Sequence, residues 1–152
     1  MASRQTDRNI GMIRLRPVIQ QEITGCAIAS VAVIAGVTYA AVKRRANRIG
    51  IFAEDQRLWS ETAYMRRLLK LFRLRAQPRE RPFHSWHELP DLALLAIKWH
   101  LDKGRPYWHW AVFVRYPTDA YPLDSKRALR RHRRTDFGRI HPKWYIEVRR
   151  GR

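Results

Sequence analysis

The sequence predicts an α+β domain, with helices first and an antiparallel sheet after them. Three observations lead there. Residues 23–42 are nearly all apolar but are interrupted at Gly36-Val37-Thr38, which makes two short helices. Met65, Leu68, Leu69 and Phe72 recur at i, i+3, i+4 and i+7, the stripe of an amphipathic helix. From Asp91 the period changes, and segments rich in aromatic and β-branched residues alternate with turn signals.

The chain has 152 residues, enough for one domain with a single sizeable core. Residues 1–12 are expected to form a loose tail and 13–152 the domain. The N-terminal segment lacks an apolar h-region, so no secretory signal is read and a cytoplasmic protein is the expectation. A single cysteine excludes an internal disulfide framework. His84, His87 and Glu88 are close in sequence, but with one cysteine and scattered histidines they make no zinc spacing. Seven unclustered glycines offer no phosphate-cradling loop.

Residues 12–19 read as an extended lead-in, because Pro17 keeps its predecessor out of the helical region. The first helix begins near Cys26 and is apolar all round, so it should be the central buried helix. Gly36 suits its C-terminal end, where positive φ is needed. Thr38 is the expected N-cap of a second helix over residues 39–47, closed near Gly50. Lys43, Arg44, Arg45 and Arg48 require that helix to face water on one side. No transmembrane span is expected. Ser60 is read as the N-cap of the third helix, with Glu61 in its first turn. Residues 77–82 form a loop by their prolines and charges. Residues 92–99 and 108–114 read as buried strands joined by the turn at 101–106. Residues 121–124 make a short third strand and 143–148 a last one. The intervening 125–141 is basic and expected to be partly helical.

The net charge is +18, and half of it lies in residues 126–152, with 11 basic and 2 acidic residues. A nucleic acid or another acidic partner would suit this segment; a solvated basic face explains it equally well.

Chemistry centres on Cys26. A thiol at a helix N-terminus meets the positive end of the macrodipole, which favours its anion. Such a nucleophile needs a base, and the base needs an orienting group. Of six histidines, His84, His87 and His100 are placed in or beside loops, and His132 and His141 in the basic tail. His109 alone is central to an apolar strand, where an unpartnered imidazole is costly. Asp124, fifteen residues on, stands where the paired strand returns to its level. A simple buried cysteine with a satisfied structural histidine is the competing reading.

Gln20, six residues before Gly25-Cys26, together with the run from Ala29 to Tyr39, resembles the cysteine box of the bacteriocin-processing, double-glycine-leader peptidases. His109-Trp110-Ala111-Val112-Phe113-Val114 is similar to their histidine box, and Tyr121-Pro122-Leu123-Asp124-Ser125 to their aspartate box. These are papain-like cysteine proteases, usually the N-terminal domain of peptide-exporting ABC transporters. The resemblance implies a papain-like fold, with Cys26 as nucleophile, His109 as general base and acid, and Asp124 orienting His109. It implies that Gln20 donates its amide N–H to the oxyanion beside the Cys26 backbone N–H, with Gln21 as the alternative one register away. The implied substrate is a peptide or protein, cleaved through a thioester without metal or organic cofactor. Ala27 stands where the family commonly has Gly, and Ser125 where it commonly has Pro. No transporter follows Arg152, so a stand-alone domain is expected, able to cleave another peptide or to act as a deamidase or transamidase. The alternative function is a non-catalytic basic module that binds nucleic acid or another anionic partner.

Overall fold

Cys26–Ala35 (α1) contains only small and apolar residues, and Cys26 through Ile34 are all buried. A computed structural model describes residues 14–150; the expected tail, 1–12, lies outside them. Gly36 ends α1 in the left-handed region at φ 70°, and its N–H and that of Val37 both bond the Ala32 carbonyl. Thr38 then caps Tyr39–Arg48 (α2), its hydroxyl accepting from the Ala41 N–H at 3.1 Å. Tyr39, Val42 and Ala46 turn inward and the four basic residues outward. The two helices meet at 114°, and among the described residues no single helix is long and apolar enough to cross a membrane. Thr62–Leu71 (α3) buries Met65, Leu68 and Leu69 as its stripe requires.

The expected Ser60 cap does not form. Glu61 is the N-cap and makes no side-chain cap bond. Both residues are drawn instead to Arg105, whose Nε donates to Ser60 Oγ at 3.0 Å and whose Nη2 donates to Glu61 Oε1 at 3.1 Å. A charged donor outcompetes a backbone N–H for the same oxygen.

The sheet contains Leu74–Ala76 (β1), Arg81–Pro82 (β2), Leu92–Asp102 (β3), Arg105–Arg115 (β4), Ala120–Leu123 (β5) and Trp144–Arg150 (β6). Every pairing is antiparallel, in the order β1-β6-β3-β4-β5, with β2 also on β6. β1 and β2 are too short to carry a period-2 signal. Lys103 and Gly104, both with positive φ, form the two-residue turn of the β3–β4 hairpin. The layout is the α+β one that the periodicities predict.

Both faces of the central hairpin are covered, which is why β3 reads as a continuous apolar run. Leu94, Ala96, Trp108, Trp110, Val112 and Val114 pack with the helices. Ala93, Leu95, Ile97, Ala111 and Phe113 form a second core with Leu89 and Ile140 from the loops.

Residues 125–141 are not helical beyond one short 3-10 turn at Phe137–Arg139. Their backbone finds partners elsewhere. The Asp124 N–H bonds the His132 carbonyl at 2.8 Å, and the Arg134 N–H bonds the Pro122 carbonyl at 2.9 Å. The segment lies along the free edge of β5, and these bonds replace those a helix would have made.

Candidate active site

The start of α1, the middle of β4 and the residue after β5 converge. Cys26 is the first residue of α1 and is fully buried. Gly25 before it is required by space, since a Cβ there would run into the Tyr39 hydroxyl and the Glu22 carbonyl. Tyr39 donates to the Glu22 carboxylate, and Lys43 pairs with it, so α2 pins the turn that presents the cysteine. No side chain caps α1. Its first helical bond runs from the Ala29 N–H to the Gly25 carbonyl, so the Cys26 N–H lies ahead of the helical ladder.

β5 pairs with β4 only from Arg115 back to Val112. Beyond that pairing, the Trp110 N–H donates to Cys26 Sγ at 3.5 Å. His109 Nε2 is 2.7 Å from Asp124 Oδ1, which leaves Nδ1 for the sulfur. The Asp124 side chain has no solvent exposure. Its Oδ1 also accepts from the Lys126 N–H at 3.1 Å, and its Oδ2 from Arg134 Nη1 at 3.2 Å. Arg134 is in turn clamped by Asp136 through Nε at 3.0 Å and Nη2 at 2.7 Å.

These contacts set the charges. Burial pulls the His109 imidazole down, but Asp124 and the adjacent Cys26 sulfur together raise it from 6.5 to about 9. Burial pushes Asp124 up, but His109, the Lys126 N–H and Arg134 hold it at about 2. At neutral pH the pair is an imidazolium and a carboxylate, with the imidazolium beside the sulfur.

Gln20 is buried next to this group, but its amide is occupied. Nε2 donates to the Glu22 carbonyl at 3.1 Å and the Ile23 carbonyl at 2.8 Å, while Oε1 accepts from Ser125 Oγ at 2.8 Å. Its backbone N–H bonds the Ser125 carbonyl at 3.0 Å. Gln20 therefore ties the turn before Cys26 to the residue after Asp124. Gln21 is exposed and lines the neighbouring cleft.

That cleft has a volume of about 410 Å³ and adjoins His109 and Gln20. Its apolar surface comes from Ile23, Trp59, Tyr107 and Trp108. Lys98, Lys126 and Arg127 also line it. Lys98 is there because β3 bulges: the register shifts between Ile97 and His100, and Lys98 takes φ 53°. Strict alternation would send Lys98 to the helix-covered face of Leu94 and Ala96; the bulge gives that packing to Trp99 instead. His100, expected in a loop, lies on β3 and lines the cleft as well. His132 supports the site from behind, its Nδ1 2.8 Å from the Asp124 carbonyl. Arg134 carries no mark in the sequence that separates it from its arginine neighbours.

No protein-family model matches the sequence, and no curated protein matches it either. Solved structures do. A double-glycine motif protease from an AMS/PCAT transporter, in complex with the leader peptide, superposes with a TM-score of 0.58. It is 13% identical, over 89% of this chain and 91% of that one. The peptidase domain of Streptococcus ComA, a bifunctional ABC transporter involved in a quorum sensing pathway, superposes with a TM-score of 0.55. It is 10% identical, over 90% of this chain and 99% of that one. The chain has the papain-like peptidase fold. Its central helix, antiparallel sheet and order of elements are those the resemblance in the sequence implied, at an identity too low for the fold to carry an activity with it.

Proposed function

We propose that the chain is a cysteine peptidase acting on a peptide or protein substrate through a Cys26–His109–Asp124 triad. The observation that carries this reading is the largely buried His109 ring, held between the Cys26 sulfur and the Asp124 carboxylate. The peptide bound to the AMS/PCAT protease supports a peptide as the substrate class. Sγ attacks the scissile carbonyl carbon and forms a C–S bond. His109 gives its proton to the leaving amine as the C–N bond breaks, which leaves a thioester. Water then attacks the thioester, losing its proton to His109; the C–S bond breaks, the acid leaves, and Sγ and the imidazolium return to their starting states. Asp124 keeps the ring oriented and the imidazolium stabilised.

The Cys26 N–H is the first donor to the oxyanion. For Gln20 to be the second, Nε2 must exchange one of its two carbonyl partners for the substrate oxygen. Cys26 is fully buried and does not itself line the cleft, so attack requires its cover to move when substrate binds. A peptide aldehyde probe tests the reading. Wild type should form a thiohemiacetal at Cys26, seen by mass spectrometry after trapping, and should cleave members of a fluorogenic peptide pool. A folded Cys26→Ala protein that cleaves at the wild-type rate would sink it.

A further inference from the structure

The cleft beside His109 carries a charge arrangement that the triad does not use. Lys98 and Lys126 approach each other across it, with Arg127 beside them. Among the described residues, none of the three has a carboxylate within ion-pair distance. The one carboxylate on the cleft wall, Glu22, is committed to Tyr39 and Lys43. Asp124 behind it is committed to His109 and Arg134. The chain pairs its cations where acids are near, as Arg14 does with Asp119 and Arg66 with Glu80. Here it gathers three without one, and it bends β3 through a bulge to bring Lys98 in.

We propose that Lys98, Lys126 and Arg127 form an acid-binding subsite beside the reaction centre, which selects peptides carrying an Asp or Glu side chain close to the reacting bond. The subsite rests on the peptidase reading for its position, and it names the substrate class of that site. The ligand is mixed in character: a carboxylate reaches the ammonium groups while its aliphatic stem and neighbouring side chains cover Trp59, Tyr107 and Trp108. Burial and the adjacent Lys126 charge both weaken the hold of Lys98 on its proton in the free protein. A bound carboxylate relieves that repulsion, so binding gains from the crowding. The volume, about 410 Å³, suits a few peptide side chains. A nucleic-acid strand would instead track the exposed arginines at 130, 131 and 133 beyond the cleft.

Binding to the full-length Cys26→Ala variant tests the subsite apart from turnover. A library of blocked hexapeptides is selected on that protein, and the best binder is compared with its Glu→Gln isostere by calorimetry. The acidic peptide should bind at least about tenfold more tightly. The difference should vanish when Lys98→Ala and Lys126→Ala are added, and salt should weaken only the acidic member. Equal affinities, a preference that survives the double lysine change, or displacement of the acidic peptide by an equimolar oligonucleotide would each overturn the proposal. If wild type cleaves neither peptide while the preference stands, hydrolysis is what fails and the subsite remains.

Discussion

The two charged regions of this site, both in reach of His109, are built on opposite rules. Around Asp124 every charge has a partner: His109 on Oδ1, Arg134 on Oδ2, and Asp136 behind Arg134. Across the cleft, Lys98, Lys126 and Arg127 have none among the described residues. Burial explains the difference. An unpaired charge in the interior costs several kcal/mol, so the inner group survives only because it is complete. The outer cations reach water, with only Lys98 partly desolvated by the cleft wall, so they can stay unpaired until something binds. Changes to the inner group should therefore be large and insensitive to salt, and changes to the rim small and governed by it.

The largest expected effect is Cys26→Ala, which should abolish turnover while leaving a folded protein with a vacant partner at the Trp110 N–H. Cys26→Ser keeps an acceptor there and should be the more stable of the two inactive proteins, as thermal melts would record. Asp124→Asn comes next. It should lower kcat by roughly 10³–10⁴ through loss of ring orientation, and destabilise the fold by about 3 kcal/mol by stranding buried charge. The pH dependence sharpens this. Asp124 is depressed to about 2, so its contribution is present above its unfolded value and lost as pH falls through about 2. His109 is raised to about 9, so its contribution is complete below its unfolded value of about 6.5 and lost as pH rises toward 9. Wild type should lose melting temperature between those two values, and Asp124→Asn should flatten most of that slope. A variant slope as steep as wild type would assign the loss to other groups.

Much of the inner group was legible in the sequence, and the reason is geometric. The cysteine opens a helix, the histidine is central to a strand, and the aspartate directly follows the next one, so regular elements place all three. Gln20 was legible by position but not by bonding, because its amide partners are carbonyls of an irregular turn and Ser125, which is 105 residues away. Arg134 and His132 were hidden for the same reason. The 125–141 segment read as partly helical, and only its pairing along β5 turns one arginine among many toward Asp124. The Lys98 bulge could not be read either, because a continuous apolar run carries no mark of where the register slips.

Arg134 separates positioning from simple stability. Arg134→Ala removes the donor on Asp124 Oδ2 but leaves His109 on Oδ1. It should cost kcat about tenfold with little change in KM. It should also lower the alkaline limb of the pH–rate profile, because a reoriented carboxylate holds the imidazolium less well. Arg134→Lys should recover little, since one ammonium cannot hold Asp124 and both oxygens of Asp136 together. An unchanged alkaline limb with a lower melting temperature would make Arg134 a structural residue only.

The rim gives the smallest effects, and Lys98 allows its charge and its backbone to be separated. Its left-handed φ costs a non-glycine residue on the order of 1 kcal/mol. Lys98→Ala removes the charge and keeps that strain, whereas Lys98→Gly removes both at some entropic cost. If the bulge serves only to deliver the ammonium, both variants should lose discrimination between Glu and Gln peptides equally. Lys98→Gly should melt no lower than Lys98→Ala. Should the glycine variant melt clearly lower, the side-chain stem is packing the cleft wall, and the rim is then held by contacts as well as by charge.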